Sequence, residues 1–225
     1  MQAELAAQPG SRGGRPSREA AAQLGERILD AAMDLMLEQG YGATSIEAVA
    51  ARAGVSKRTF YHRFEDKAAL VQAVVARVIE RARPARPPLA TASSLPSAPD
   101  LDALRRALED FGASTLRAAL SPQVLALYRL IIGESHRFPD LLRAVALSGG
   151  RAQAVRNLVD LMQLHLPELD PARLEFAAQQ FLQMLVSLPQ LRAMGIGDAM
   201  SPADCEAWVS RTVDLLLGGI RGGSA

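Results

Sequence analysis

The stretch TSIEAVAARAGVSKRTFYHRFEDKAAL, residues 44–70, is the most informative part of the chain. It predicts two short helices joined by a tight turn and followed by a longer helix. Ile46, Val49 and Ala50 recur at helical spacing and form one apolar stripe. Gly54 follows where the chain must turn sharply, because glycine adopts a left-handed backbone at little cost. The pattern indicates a helix-turn-helix, in which the second short helix presents polar side chains to DNA.

Both short helices have predicted N-caps. Thr44 lies three residues before Glu47, the spacing of a capping box in which each side chain satisfies a free backbone N–H. Ser56 is placed to cap a second helix that starts at Lys57. Thr44 and Ser45 can also donate hydrogen bonds to a phosphate, since a helix N-terminus attracts anions. Capping and phosphate contact are compatible for Thr44, and both are expected.

Residues 28–74 resemble the N-terminal domain of the TetR/AcrR family of bacterial transcriptional regulators. The matching features are Gly40-Tyr41-Gly42, Thr44-Ser45-Ile46, Ala50, Gly54-Val55-Ser56, Thr59, Tyr61, Phe64, Asp66-Lys67 and Leu70. Residues 127–145 look like a stretch found in one branch of the same family. The resemblance implies an all-α protein, with an N-terminal three-helix helix-turn-helix DNA-binding domain and a C-terminal helical domain for ligand binding and dimerisation.

The resemblance also implies which residues contact DNA. Family counterparts at the start of the second motif helix face base edges and phosphates, and an arginine or lysine there can bind guanine O6 and N7. The implied contacts are Thr44, Ser45, Lys57, Arg58, Thr59, Tyr61, His62, Arg63 and Lys67. For His62 a plain surface role is the alternative. Arg63 departs from many relatives, which have histidine or tyrosine before the phenylalanine, and it either alters sequence preference or strengthens phosphate contact.

Composition and charge agree with a helical DNA-binding protein. Aromatic residues make up 4% of the chain and good strand formers are sparse, which favours helices. The formal charge of +1 gives no overall basic field. Charge is instead segregated, because residues 12–18 and 52–63 hold cations and no acid, whereas the first helix carries Glu26, Asp30 and Asp34. Such segregation by surface suits phosphate contact.

The chain divides into five predicted segments, with a proline-rich loop as the clearest boundary because proline cannot continue a helix. The segments are a disordered basic arm (1–16), a helix-turn-helix domain (17–66), a linking helix (67–83), a proline-rich loop (84–99) and a helical effector-binding and dimerisation domain (100–219). Helices in the last segment are predicted at about 100–119, 122–137, 139–166, 171–192 and 202–217. We expect a break near residues 148–150, and an end or a kink at Leu188-Pro189.

The resemblance implies a small-molecule cavity among the C-terminal helices. Polar or adaptable side chains on otherwise apolar helices are the candidates for its lining. They are Arg129, Glu134, His136, Met162 and Met184. The alternative for each is a solvent-facing, ion-paired or core-packing role.

Apolar stripes on the last two helices predict a dimer interface, because a monomer would struggle to cover them. The residues are Leu174, Ala178, Phe181, Leu185, Val209, Val213 and Leu216. The resemblance implies a homodimer whose two-fold symmetry places the recognition helices about 34–36 Å apart, on a near-palindromic operator.

The predicted function is a ligand-responsive, sequence-specific transcriptional regulator, a repressor released from double-stranded DNA by a small molecule. A transcriptional activator and an effector-independent regulator stay open, and an interaction adaptor is a further alternative. An all-helical enzyme lacks a supporting motif. No cofactor or metal site is expected, since the single cysteine, Cys205, cannot form an intrachain disulfide or a thiolate metal site. A cytoplasmic protein fits, and no apolar run is long enough to span a membrane.

Overall fold

The computed structural model describes residues 18–82 and 100–222, and all ten elements in these ranges are α-helices. The helices are α1 (Arg18–Ala43), α2 (Ile46–Arg52), α3 (Lys57–Tyr61), α4 (Lys67–Ala82), α5 (Leu101–Ala119), α6 (Pro122–Glu134), α7 (Asp140–Leu147), α8 (Gly150–His165), α9 (Pro171–Ala193) and α10 (Pro202–Gly222). The predicted arm at 1–16 and the predicted loop at 84–99 lie outside the described residues. The all-α fold class is confirmed.

One hydrophobic core is shared by α1–α4, α6 and α7. Ile28 of α1, Phe60 of α3 and Val75 of α4 are each fully buried in it. The buried side chains that α6 and α7 add are Leu127, Ile131, Leu141 and Ala144. The helix-turn-helix is therefore completed by two helices from beyond residue 100, so the core does not divide at the predicted boundary.

A second core joins α5, α8, α9 and α10. All the residues predicted for a dimer interface lie inside it, with exposed fractions of 0% to 5%: Leu174, Ala178, Phe181, Leu185, Val209, Val213 and Leu216. Their assignment to a dimer interface is wrong, because α5 and α8 of the same chain cover both stripes. Leu104 and Leu158, both fully buried, are among the side chains that do so.

Two helix boundaries need explanation. The predicted helix at 139–166 is divided into α7 and α8 at Gly149, which takes a left-handed backbone conformation with φ 68°. The predicted break near 148–150 is thereby confirmed. By contrast, α9 does not end at Leu188-Pro189 but runs through Pro189 to Ala193.

Two arginines of α4 form ion pairs with acidic residues of α1. The Arg77 side chain is only 9% exposed and its guanidinium lies 2.6 Å from Oδ1 of Asp30. Arg81 pairs with Glu26 at 2.5 Å. Because Arg77 is largely buried, salt screens its ion pair less than a surface pair, and α4 is held at a fixed angle to α1. None of the helices in the described ranges is long and apolar enough to cross a membrane.

Candidate nucleic-acid interface

The turn between α2 and α3 has the geometry of a helix-turn-helix. Gly54 takes the left-handed conformation with φ 67°, and the Val55 N–H donates to the Ala50 carbonyl at 2.9 Å. The Ser56 hydroxyl accepts a hydrogen bond from the Thr59 N–H at 3.1 Å. The predicted Ser56 cap is confirmed, and α3 starts at Lys57 in a fixed orientation.

The N-cap of α2 is Ser45 rather than Thr44, so the predicted capping box is wrong. The Ser45 hydroxyl accepts from the Ala48 N–H at 3.1 Å. Thr44 is 2% exposed, and its hydroxyl donates to the Gly40 carbonyl at 2.8 Å. That carbonyl is available because Gly40 leaves the helical conformation, with φ 82°. Thr44 therefore stabilises the interruption of α1 at Gly40, and its predicted hydroxyl contact with phosphate is not supported.

α3 buries one side and exposes the other. Phe60 is fully buried, whereas Tyr61 is 51% exposed and Lys57 and Arg58 face solvent. Lys57 and Tyr61 are four residues apart and share one side of the helix. The Thr59 hydroxyl lies 2.8 Å from the Ser56 hydroxyl, inside the cap. The exposed side thus offers two cations and a phenol to a DNA groove or its phosphates.

The recognition helix, α3, ends before two of the predicted DNA contacts. α3 ends at Tyr61, His62 is its C-cap and Arg63 lies beyond it, although both residues are exposed. The Arg63 guanidinium packs over α1, since a Cβ at Gly25 would lie 2.9 Å from its Nη2. Arg63 therefore stands at the junction of α1 and α3, outside the helical turn that carries Lys57 and Tyr61.

An ion pair neutralises part of this surface. The Lys57 ammonium lies 2.9 Å from Oε1 of Glu47, and both side chains are more than half exposed. The hydrogen bond between them lowers the pKa of Glu47 and raises the pKa of Lys57. A phosphate that binds Lys57 must therefore compete with a carboxylate from α2.

Lys67 turns inward instead of toward the DNA-facing surface. Its ammonium donates to the Tyr41 carbonyl at 2.5 Å and lies 4.1 Å from the centroid of the Tyr41 ring. Burial lowers the pKa of Lys67. The predicted backbone contact by the Lys67 side chain is not supported, because its ammonium already joins α4 to the end of α1.

The predicted ligand residues do not converge on one site. Met162 is fully buried in the second core, whereas Met184 is 36% exposed on α9. His136 faces solvent, and Arg129 donates to the Ala193 carbonyl at 2.8 Å. Glu134 lies against Gly40, where α1 is interrupted. Among the described residues, no group of three or more histidine, cysteine or acidic side chains could hold a metal ion.

A cleft of about 820 Å³ opens between α7, α8 and the start of α9. Its lining includes Val145, Ala146, Ala152, Val155, Arg156, Val159, Asp160, Glu175 and Gln179. None of the five predicted ligand residues is among its lining residues. The sequence gives no signal for it, because valine and arginine at helical spacing are equally typical of an ordinary half-exposed helix.

An all-α chain whose capped short helix exposes two cations and a tyrosine is a helix-turn-helix DNA-binding protein. Residues 28–74 match the family model for bacterial regulatory proteins of the tetR family, and residues 106–219 match the C-terminal domain of AefR-like transcriptional repressors. The chain therefore belongs to the TetR family of transcriptional regulators.

Solved structures of other regulators are similar to this one over nearly the whole chain. A TetR-family transcriptional regulator from Mesorhizobium loti MAFF303099 is 26% identical, with a TM-score of 0.66, over 91% of this chain and 98% of that one. The flavonoid-responsive regulator FrrA is 31% identical, also with a TM-score of 0.66, over 88% of this chain and 97% of that one. Both similarities span the DNA-binding and C-terminal helices together.

Curated relatives match over a short segment only. The uncharacterized regulator YvkB of Bacillus subtilis (strain 168) is 44% identical over 50 residues, which are 22% of this chain and 26% of YvkB. The regulator UidR of Escherichia coli (strain K12) is 39% identical over 56 residues, 25% of this chain and 29% of UidR. Both are described as HTH-type transcriptional regulators.

Proposed function

We propose that the protein is a homodimeric repressor that acts in the cytoplasm and leaves a near-palindromic operator when a small molecule binds. The observation that carries the proposal is the shared core of α1–α4, α6 and α7. It places the exposed side of α3 and one wall of the cleft, α7, in a single packed unit. A ligand that prefers one arrangement of α7 can therefore bias the orientation of α3.

The proposed dimer uses the outer faces of α9 and α10. Phe176 is 64% exposed, Leu188 and Leu191 are each 38% exposed, and Leu215 of α10 is 68% exposed. The three α9 residues lie at spacings that keep them along one face of the helix. Gly218 of α10 has open space around it, which permits close approach of a second helix. A group of exposed large apolar side chains is typical of a protein–protein interface.

The proposed effector is a small aromatic molecule of the flavonoid type. FrrA, which is 31% identical to this chain, is described as flavonoid-responsive. The candidate site for it is the open cleft of about 820 Å³ between α7, α8 and the start of α9. Its valines offer apolar contacts, and Arg156 and Gln179 offer polar partners for phenolic groups.

Fluorescence-anisotropy titration tests the proposal, with the full-length protein and short duplexes that tile the DNA upstream of its gene. We expect tight binding to one near-palindromic duplex, a steep salt dependence and release by quercetin. Tyr61→Ala should lose about tenfold or more in operator affinity while the dimer persists, since Tyr61 is exposed. Unchanged operator affinity in Tyr61→Ala would refute this placement of the DNA-contacting surface.

An activator or an effector-independent regulator is the alternative. Deletion of the gene separates repression from activation, because loss of a repressor raises expression of a reporter driven by the bound promoter. Operator binding that persists across a panel of flavonoids, with no change in affinity, would favour effector independence.

A further inference from the structure

The end of α1 that follows its interruption at Gly40, which includes Tyr41 and Gly42, packs against the segment between α6 and α7. A Cβ at Gly42 would lie 2.9 Å from Cζ of Phe138, a separation that real Cβ atoms essentially never show. Gly42 does not have a positive φ. A side chain at residue 42 would therefore force the Phe138 ring to move, whereas glycine at residue 40 is also favoured by its own backbone conformation.

Tyr41 is held between two elements at this end of α1. It is 5% exposed, and its ring packs edge-on against the Phe138 ring, with 4.9 Å between centroids and an interplanar angle of 77°. Lys67, the first residue of α4, lies over the Tyr41 ring and binds its carbonyl. Burial raises the pKa of the Tyr41 phenol, in agreement with a contact that excludes water. The Tyr41 ring thus joins the α6–α7 segment to α1 and α4.

The recognition helix packs into the same hydrophobic core as this contact. Phe60 of α3 is fully buried in the same core as Ile131 of α6 and Leu141 of α7. Packed interiors transmit displacements because they contain little free space. The orientation of α3 therefore follows the position of the α6–α7 segment, and in a dimer so does the distance between the two α3 helices.

We infer that Phe138 is a positioning residue for DNA recognition. Its ring, seated over Gly42 and against Tyr41, sets the angle of the helix-turn-helix on the C-terminal helices, and with it the half-site spacing that a dimer accepts. The inference rests on the proposed dimeric operator binding. Phe138 acts through Tyr41 and not by contact with a base, so its loss relaxes the choice of spacing and leaves base preference intact.

The test uses full-length protein and anisotropy titration against operators whose half-sites are moved closer or further apart by one or two base pairs. In Phe138→Ala, the ratio of affinities for the native and altered spacings should fall about fivefold or more. The loss caused by a base substitution inside a half-site should not change. Tyr128→Ala is the matched control, because Tyr128 is an aromatic residue of α6 that is 41% exposed.

A second pair of variants distinguishes positioning from general loss of structure. Gly42→Ala forces a methyl group against Phe138 and should weaken operator binding or shift the preferred spacing. Adding Phe138→Ala should relieve that loss, because the truncated side chain makes room for the methyl group. Circular dichroism melts confirm that each variant is folded.

The outcomes separate the inference from the proposed function. Suppose that the wild-type protein has a sharp spacing preference and that folded Phe138→Ala retains it. That result would overturn the inference alone. A loss in Gly42→Ala that Phe138→Ala does not relieve would do the same. A wild-type protein that binds no duplex would overturn the proposed function, and with it the inference.

Discussion

The indole N–H of Trp208 on α10 donates to the main-chain carbonyl of Leu185 on α9, at 3.1 Å. In an uninterrupted α-helix that carbonyl accepts from the N–H four residues later. That residue is Pro189, which has no N–H. Trp208 thus supplies a hydrogen bond that α9 cannot make for itself, and α9 continues to Ala193.

This relationship predicts a coupled effect on stability. Trp208→Phe should lower the free energy of unfolding by about 1–3 kcal/mol, because the carbonyl of fully buried Leu185 loses its donor. Urea denaturation monitored by circular dichroism measures the change. In a Pro189→Ala background the alanine N–H replaces the indole, so the same substitution should cost less. Equal costs in both backgrounds would contradict the explanation, since the loss of ring volume is common to both.

A second prediction concerns the ion pair on the DNA-facing surface. Glu47→Gln removes the carboxylate that competes for Lys57, so operator affinity should rise severalfold. The slope of log affinity against log salt concentration should become steeper by about one released counterion. Anisotropy titrations over a salt series measure both. Glu206→Gln makes the same change of charge on an exposed position of α10 and is the control. The prediction fails if the two variants behave alike.

The same ion pair predicts a pH dependence. The hydrogen bond to Lys57 lowers the folded-state pKa of Glu47, so its contribution is present at neutral pH and is lost as pH falls through that lowered pKa. Protonated Glu47 no longer competes with phosphate. The difference in operator affinity between wild type and Glu47→Gln should therefore shrink toward zero as the titration is repeated at decreasing pH, and a constant difference would be inconsistent with the pair.

Two glycines should respond oppositely to alanine. A Cβ added at Gly133 of α6 would meet no atom within 4 Å, and Gly133→Ala should stabilise the protein by about 0.4–1 kcal/mol. At Gly150 a Cβ would lie 2.5 Å from Cγ2 of Ile79, a side chain that is stiff at χ1. Gly150→Ala should therefore destabilise the contact between α8 and α4. Thermal melts of both variants decide the point, and a shift of the same sign in both would refute it.

A further prediction tests the cleft. Ala152 is an exposed residue in its lining, so Ala152→Trp should fill the space and abolish release of the operator by quercetin. The operator affinity of each variant without quercetin is measured first and serves as the reference for its release. Ala199→Trp, at an exposed position outside the cleft lining, is the control. Release of Ala152→Trp at the wild-type quercetin concentration would place the effector elsewhere.

Local features were predictable from the sequence because the residues that determine them are neighbours in the chain. The Ser56 cap, the Gly54 turn and the break at Gly149 each depend on a few consecutive residues. Thr44 and Ser45 show the limit of such reasoning. Both can cap α2, and the choice depends on the Gly40 carbonyl, which becomes an acceptor for Thr44 because the helical conformation of α1 is interrupted at Gly40.

Tertiary relationships were less predictable, because periodicity identifies a buried face but not what buries it. Leu174 and Val213 were correctly expected to be covered, and α5 and α8 cover them instead of a second subunit. Helices α6 and α7 likewise carry apolar faces whose partners, α1 and α4, lie on the other side of the proline-rich segment. The five predicted ligand residues do not converge on one site for a related reason, since polarity on an apolar helix does not reveal which residues meet.

The core that α1–α4 share with α6 and α7 limits how such a regulator can be recombined. A chimera joined at residue 82 would combine α1–α4 with foreign counterparts of Leu127, Ile131, Leu141 and Ala144, and so would cut through one packed interior. Exchange of operator specificity is better confined to the exposed side of α3. A chimera that exchanges the effector response must keep the inner faces of α6 and α7. The part of the protein that can be exchanged is therefore defined by packing and not by position along the chain.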